Sequence, residues 1–306
     1  MDTAPPVPSD RAELKTQLKA LSPPSDRRGL LQLGGHLALL AVTGSLVLWT
    51  VGTWLLPAAL LAHGIVLIFL FAPLHETIHR TAFRSRALND AVARACGFLL
   101  LLPADYFRAF HLQHHRFTQD PARDPELAAP PLASRAAWLW HVSGLPYWRE
   151  RVATTWRHAL GQVTEDFVPA RLRPAIVREA RAHLALYGLA AAASLAAGST
   201  PLLWLWALPA LLGQPFLRLY LLAEHSGCPA VPDMLANSRT TLTHPLLRRL
   251  CWNMNLHTAH HAYPAVPFHA LPAADRLLAP RIAVRNRGYL AVQKEIWRSF
   301  GSTPAV

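Results

Sequence analysis

The chain has 306 residues, of which 52% are hydrophobic and only 16% are charged. This composition is too apolar for an ordinary soluble domain and too aromatic for a disordered one, so it indicates a membrane protein. The net charge of +12 does not favour nucleic-acid binding, because the arginines flank apolar segments instead of forming one patch with interleaved aromatic residues. Anionic membrane lipids and acidic proteins are the expected partners, and nucleic acid is not.

The first apolar segment predicts a helical hairpin. Residues 29–74 contain no Asp, Glu, Lys or Arg, and this run is about twice the ~20 residues that one helix needs to cross a bilayer. We place the first transmembrane span at 30–48, the second at 54–74 and the turn between them at 50–53.

The second apolar segment predicts another hairpin. Residues 182–217 are again uncharged, and the run is interrupted by "GSTP" at 198–201, where Gly and Pro break a helix. We place the third span at 182–197 and the fourth at 201–223. The expected fold is an all-α integral membrane protein with four transmembrane helices in two hairpins and a cytoplasmic helical cap that carries the histidine-rich segments.

The distribution of basic residues predicts the orientation in the membrane. Of the 30 Lys and Arg residues, five precede residue 29, fourteen lie between the hairpins and nine follow residue 225, whereas neither hairpin tip carries any. By the positive-inside rule, both termini and the cap face the cytoplasm, and the chain is expected in the cell inner membrane. Residues 1–28 and 301–306 are predicted to be flexible tails around a single domain at 29–300.

Histidines form three short motifs. Of the 16 histidines, eight lie in "HETIH" at 75–79, "HLQHH" at 111–115 and "HTAHH" at 257–261. On a helix, positions i, i+3 and i+4 share one face, so each motif directs its imidazoles to one side. Eight imidazoles without a cysteine suit iron or zinc, and they exceed what one tetrahedral zinc ion uses. The pattern therefore predicts two metal ions.

The predicted topology brings the three motifs to one face of the membrane. The first motif lies at the cytoplasmic end of the second span, and the other two lie in cytoplasmic segments after the second and fourth spans. His225, in "LLAEHSG", falls at the cytoplasmic end of the fourth span. It is therefore the expected ninth ligand beside the eight histidines of the motifs.

Two alternatives from other classes of protein remain open on the residues alone. "HETIH" matches the HExxH pattern of zinc metalloproteases, in which the glutamate, here Glu76, acts as general base. That interpretation leaves both HxxHH motifs unused, and no evident aspartate-bearing motif in a later span supplies a third zinc ligand. The other alternative is a non-catalytic membrane protein that stores or senses metal.

Taken together, the three motifs resemble the histidine boxes of the integral-membrane fatty acid desaturase and hydroxylase superfamily, whose boxes hold a di-iron centre. The stretches "HETIHRTAF", "FHLQHHRFTQDPARDPEL" and "WNMNLHTAHHAYPAVPFHALP" are similar to the bacterial fatty acid desaturase branch in particular, and the resemblance covers about residues 62–277. Carried onto this sequence, the resemblance implies nine iron ligands: His75, His79, His111, His114, His115, His225, His257, His260 and His261.

The resemblance also implies a reaction, in which two Fe ions with O2 as co-substrate desaturate a fatty acyl or lipid chain. Hydroxylation, and oxidative decarboxylation of a fatty acid to a terminal alkene, are alternative outcomes at the same centre. In animal acyl-CoA desaturases an asparagine stands one turn before the additional histidine, whereas this sequence has Leu221 there, so a CoA-linked substrate is not implied.

Electrons are expected to come from another protein. The sequence has no evident dinucleotide-binding motif, rubredoxin-type cysteine pair or haem domain. We therefore expect a separate donor of the ferredoxin, rubredoxin or cytochrome b5 type, with its reductase, that docks through acidic residues on the arginine-rich cytoplasmic face.

Ligating histidines usually donate their second ring N–H to a carboxylate or a carbonyl group. Five residues beside the motifs are candidates for such an outer role: Glu76, Glu224, Asn253, Asn255 and His269. The alternative is a plain salt bridge for the two glutamates and helix capping for the two asparagines. Asp120 and Asp124 are expected instead to cap or turn the loop "TQDPARDP".

Overall fold

The computed structural model describes residues 11–300, which form fourteen α-helices and one sheet of two parallel strands. The elements in chain order are α1 (Arg11–Ala20), α2 (Asp26–Thr50), α3 (Leu56–Ile68), α4 (Phe71–Ile78), α5 (Arg86–Leu99), α6 (Ala104–Phe117), α7 (Arg135–Val142), α8 (Leu145–Ala159), α9 (Arg173–Ala196), α10 (Leu208–His225), β1 (Arg239–Leu242), α11 (Pro245–Leu250), α12 (His257–Ala262), α13 (Leu271–Leu278), β2 (Val284–Arg287) and α14 (Tyr289–Ser299). The prediction of an all-α membrane fold is confirmed, and the short sheet is the one addition to it among these residues.

A short helix precedes the first span. α1 carries Leu14 and Leu18 four residues apart on one face, and both side chains are buried. Because this apolar face packs into the protein core, residues 11–28 of the predicted flexible tail at 1–28 are mostly helical, in α1 and the first turn of α2. Residues 1–10 and 301–306 lie outside the described residues.

Three helical segments are long and apolar enough to cross a membrane: Asp26–Thr50, Leu56–Ile78 and Leu203–His225. They overlap the first, second and fourth predicted spans, and the second segment has a break between α3 and α4. α9 covers the predicted third span except for its last residue. Its first half carries charged residues, and α9 is not among the three segments apolar enough to cross a membrane. The third span therefore stays a prediction. α5 and α6 together would make a further candidate, although the chain bends by 101° between them.

α3 packs against α2 and against the segment Leu203–His225, which includes α10, through polar as well as apolar contacts. His36 Nε2 of α2 lies 3.0 Å from the carbonyl oxygen of Val66. His63 of α3 lies between two helices, with Nδ1 2.8 Å from Thr43 Oγ1 and Nε2 3.0 Å from the carbonyl oxygen of Leu205. Unpaired polar groups are costly inside a bilayer, so these contacts help to set how the three helices pack.

The closest approach of α3 and α10 depends on two glycines. A Cβ built on Gly213 would collide with the carbonyl oxygen of Gly64 and come within 3.2 Å of its Cα. A Cβ built on Gly64 would collide with the carbonyl oxygen of Pro209. The two backbones therefore touch directly, as small residues allow at helix crossings in membranes.

Gly213→Ala is expected to destabilise the protein, because the added methyl group has to push α3 and α10 apart. Overpacking of this kind costs roughly 1–3 kcal/mol, and the loss should appear as a lower melting temperature of the purified protein in detergent. Gly34→Ala is the matched control, since a Cβ at Gly34 of α2 would meet no atom within 4 Å. Equal melting temperatures for the two variants would contradict this account of the crossing.

Elements outside the spans hold the histidine motifs in place. At the start of α6, the carboxylate of Glu179 in α9 accepts the backbone N–H groups of Ala104 and Asp105 at 2.9 and 2.8 Å. It thereby satisfies two of the free N–H groups that every helix exposes at its first turn. β1 forms an antiparallel bridge between Thr240 and Leu256, the residue that precedes α12. The first residues of α6, and the residue before α12, are therefore each held by a contact with another element.

Candidate metal centre

The nine predicted ligands come together where four chain segments meet. α4 carries His75 and ends just before His79, and α10 ends at His225. α6 carries the second histidine motif and α12 the third. All nine side chains are buried or half-buried. The fold thus collects residues that are up to 186 positions apart, from His75 to His261.

The nine histidines form two groups, and each group could hold a metal ion. His75, His79, His111, His115 and His260 make the first group, and His114, His225, His257 and His261 make the second. Within each group, one nitrogen from every residue lies within 4.8 Å of all the others. α6 and α12 contribute to both groups, so the two candidate sites lie side by side.

In the first group, ring nitrogens face one another at distances that suit a shared metal ion. His115 Nε2 lies 2.9 Å from His111 Nε2 and 3.1 Å from His260 Nε2. A metal about 2.1 Å from each of two imidazole nitrogens at a right angle would set those nitrogens about 3.0 Å apart. His79 Nε2 is buried and has no hydrogen-bond partner. The donor atoms present therefore fit a metal ion.

The second group repeats this arrangement. His225 Nε2 lies 3.2 Å from His114 Nε2 and 3.0 Å from His257 Nε2. His261 Nε2 is buried and has no hydrogen-bond partner, which is costly unless a ligand satisfies it. The second group fits a metal ion on the same grounds as the first.

Each histidine of the second group has an oxygen atom beside its other ring nitrogen. The pairs are His114 Nδ1 with Asp124 Oδ1 at 2.9 Å, His225 Nδ1 with the Asn237 carbonyl oxygen at 3.0 Å, His261 Nδ1 with Thr118 Oγ1 at 3.1 Å and His257 Nδ1 with Glu224 Oε1 at 3.3 Å. The last pair lies outside hydrogen-bond geometry, because His257 Nδ1 has no hydrogen-bond partner.

These oxygen atoms decide which ring nitrogen carries the proton. A carboxylate and a carbonyl oxygen only accept hydrogen bonds. Thr118 already donates its hydroxyl proton to the carbonyl oxygen of His114, so it accepts from His261. The proton therefore sits on Nδ1 of His114, His225 and His261. Each Nε2 keeps a lone pair that faces the other histidines of its group.

Asp124 joins the second histidine motif to the loop that follows it. Burial raises the pKa of its carboxyl group, but hydrogen bonds from His114 and from the backbone N–H groups of Gln119 and Glu126 hold that pKa below its ordinary value. Asp124 is thus a buried carboxylate that turns the loop, as predicted, and also contacts His114. The sequence predicted only the first of these two roles.

Asp124→Asn is expected to weaken metal binding at the second group by about 10–100-fold, the usual effect of losing a carboxylate beside a ligating histidine. The substitution keeps the size of the side chain and one oxygen for the loop, but it removes the negative charge beside His114. Titration of the metal-free protein with Fe2+ measures the affinity. Asp120→Asn is the control, because Asp120 turns the same loop through Ala122 and Arg123 and contacts none of the nine histidines among the described residues.

The first group is held mainly by contacts to the backbone near its histidines, and less by contacts to their rings. Nδ1 of His75, His115 and His260 has no hydrogen-bond partner. Arg108 of α6 instead donates to the carbonyl oxygen of Ile78, the residue just before His79, at 3.0 Å. This contact ties the end of α4 to the helix that carries the second motif.

A carboxylate in α5 supports that contact. Asp90 accepts from Arg108 at 2.8 Å and from Arg80 at 3.0 Å. It thereby joins α5, α6 and the residue after His79 in one charged network. This link between the first two motifs carries no signal in the sequence, because its members are scattered over three segments.

The surroundings keep the third motif uncharged. Burial, and then the charges of neighbouring histidines, lower the pKa of His257, His260 and His261 well below the ordinary value of 6.5. Neutral imidazoles offer lone pairs, whereas protonated ones repel a cation. The motif is therefore in the form that binds metal at neutral pH.

Of the five predicted outer residues, only Glu224 contacts one of the nine histidines among the described residues. The carboxylate of Glu76 accepts the backbone N–H of Phe268 at 3.0 Å. Asn253 donates to the carbonyl oxygen of Phe268, Asn255 donates to that of Thr241, and His269 Nδ1 lies 3.1 Å from Arg28. These four therefore brace the segments around the third motif instead of contacting its rings.

Comparison with known proteins agrees with this geometry. The model of the family described as fatty acid desaturase matches residues 24–292, a range that contains all nine histidines and the three helices able to cross a membrane. No curated protein matches the chain. Because the family match covers most of the sequence, the chain belongs to the fatty acid desaturase family.

Proposed function

We propose that this integral membrane oxidoreductase is a non-haem di-iron oxygenase that uses O2 and external electrons to desaturate a fatty acyl or lipid chain. The observation that carries the proposal is the division of nine buried or half-buried histidines into adjacent groups of five and four, each able to hold a metal ion. The family match supports the same class of substrate.

The donor set favours iron over zinc. Structural and catalytic zinc is usually four-coordinate and tetrahedral, whereas the first group offers five imidazoles. Ring nitrogens about 3.0 Å apart would stand at about a right angle around a metal ion, and such an angle suits coordination numbers above four. We propose that all nine histidines are iron ligands, with one Fe ion in each group. Iron bound there would supply the oxidising power that an unactivated C–H bond requires.

The position of Glu76 argues against the zinc protease interpretation. In a protease of that class the glutamate acts on a water molecule beside the zinc. Here the Glu76 carboxylate is fully buried and accepts the backbone N–H of Phe268. In addition, each HxxHH motif contributes histidines to both groups, so these motifs are part of the candidate metal centre.

The protein residues contribute geometry and a dry environment. Asp124, Asn237 and Thr118 hold their histidines in the form that directs Nε2 inward. Burial of the rings keeps bulk water away from the site, which limits side reactions of a reactive centre.

A small cavity lies beside His75. Its volume is about 10 Å³, which is room for about one water molecule. The lining is mostly apolar and comprises Phe69, Phe71, Ala72, His75, Tyr220, Glu224, Cys251 and Met254. It lies where α4 and α10 meet the segment that precedes the third histidine motif.

The proposed reaction needs electrons as well as O2. Two hydrogens from the chain, two electrons and two protons reduce one O2 to two waters and leave one carbon–carbon double bond. We propose that a separate ferredoxin, rubredoxin or cytochrome b5 type protein supplies the electrons on the cytoplasmic face of the inner membrane. Turnover that persists after every such donor is removed would contradict this part of the proposal.

Lipid and hydrocarbon profiling of a host that expresses the chain tests the proposal. We expect a new acyl species that is two hydrogens lighter, and its absence from cells that express His111→Ala. A hydroxylated chain or a terminal alkene would instead assign one of the alternative outcomes to the same centre. An unchanged profile in every lipid class would contradict the assignment of an acyl substrate.

A further inference from the structure

An open groove of about 390 Å³ lies beside the start of the first transmembrane helix. Its lining comprises Gln32 of α2, Pro245, Arg248 and Arg249 of α11, and Trp252 and Asn253 of the segment that leads to α12. The lining contains two guanidinium groups, two amides and one indole, but no carboxylate. The groove is therefore positively charged and rich in hydrogen-bond donors.

Both arginines have side-chain N–H groups that make no hydrogen bond within residues 11–300. Arg249 makes no side-chain hydrogen bond or ion pair within the part of the chain that the structure describes, and its terminal nitrogen lies 3.5 Å from the position of a Cβ on Gly35. Arg248 donates Nε to Asn253 at 3.1 Å. Its two terminal nitrogens have no hydrogen-bond partner among residues 11–300.

The groove lies near the start of α2, the first of the helices able to cross a membrane. Gln32 lies six residues after the start of α2, about 9 Å along the helix. Its amide donates to the carbonyl oxygen of Arg249, and this contact places α11 against that end of the helix. Beside the groove, Leu31 and Leu246 are 63% and 66% exposed. A basic groove flanked by exposed leucines suits a molecule with an anionic head and apolar chains.

We propose that this groove binds the phosphate of an anionic phospholipid, with Arg248 and Arg249 as its donors and the acyl chains beside Leu31 and Leu246. Guanidinium groups bind phosphate oxygens through paired, charge-assisted hydrogen bonds. Basic pockets beside membrane helices bind anionic head groups on the same basis. Because Trp252 and Asn253 lie just before α12, the helix of the third motif, the bound lipid joins that segment to α2.

Native mass spectrometry of the purified protein in detergent tests the proposal. Phosphatidylglycerol is the anionic probe, phosphatidylcholine the zwitterionic control and inorganic phosphate the soluble control. We expect phosphatidylglycerol to bind more tightly than either. Loss of a hydrogen bond to a charged group weakens binding by about tenfold, so Arg248→Gln/Arg249→Gln should weaken phosphatidylglycerol binding by about a hundredfold. Arg84→Gln/Arg86→Gln is the matched control, because both arginines are exposed and lie outside the groove.

Three results would overturn the proposal. The first is phosphatidylcholine binding as tight as that of phosphatidylglycerol. The second is equal loss of lipid binding in the control variant. The third is binding of inorganic phosphate as tight as that of the lipid, which would make the groove a site for free phosphate. If the double variant does not fold, Arg249→Gln alone serves, because that side chain makes no contact with a polar partner within residues 11–300.

Discussion

His260→Ala and His257→Ala are each expected to lower the bound iron from about two ions per chain to about one and to stop turnover. His260 belongs to the first group and His257 to the second, so each variant removes one ligand from a different site. Loss of an outer partner of a ligating histidine already costs about 10–100-fold in affinity or activity. Loss of the ligand itself should therefore cost more than about a hundredfold in O2 consumption.

The two variants also test whether the sites work together. If desaturation needs both metal ions, either variant alone should abolish the product although one ion remains. Elemental analysis of the purified proteins and an oxygen electrode provide the two measurements. His244→Ala is the control, because His244 is exposed and lies outside both groups. Full iron content and full turnover in either ligand variant would show that the groups are not the metal centre.

Acid is expected to destabilise the metal-free protein steeply. In the unfolded chain a histidine titrates near its ordinary pKa of about 6.5, whereas burial holds the pKa of His257, His260 and His261 well below that value in the folded protein. Below about pH 6.5 the unfolded state therefore binds more protons, and the free energy of unfolding falls as the pH falls. Each such histidine contributes about 1.4 kcal/mol per pH unit, so these three together contribute about 4 kcal/mol per pH unit below about pH 6.5.

The measurement is the melting temperature of chelator-treated protein between about pH 7.5 and pH 5.5. The stabilisation is fully present above about pH 6.5 and is lost below it. Iron-loaded protein should shift in the same direction, because protons compete with the metal for the same nitrogens. His244→Gln should keep the wild-type slope. A melting temperature that stays constant over this range would contradict the neutral, buried state assigned to the third motif.

The nine histidines could be predicted from the sequence because the spacing within each motif is local. Their division into two groups could not. His111 and His115 are one helical turn apart and join the first motif, whereas His114 is rotated by about 100° from His115 and joins His225. Which face of α6 meets which motif depends on tertiary packing, and no pattern in the sequence reports it.

Asp124 has one role that the local sequence predicts and one that it does not. The loop after the second motif predicted a turn-forming aspartate, and the structure has it, with hydrogen bonds to Gln119 and Glu126. Its contact with His114 depends on how the loop folds back over ten residues. The same limit applies to α1, where Leu14 and Leu18 are a weak signal alone and gain meaning only from the core that buries them.

The fold was predictable where hydropathy is strong. Three apolar segments are helices able to cross a membrane. The break between α3 and α4 and the parallel pairing of β1 with β2 were not predicted. The strands have four residues each, too few for a periodic pattern, and they pair across forty-five positions, from Arg239 to Val284.

The most direct test of the di-iron centre is the metal content of the wild-type protein. The protein is purified without added metal, and its metal is measured by elemental analysis. Nine histidines in groups of five and four predict two iron ions per chain and little zinc. One zinc ion per chain, or no stoichiometric metal at all, would contradict the assignment of a di-iron centre.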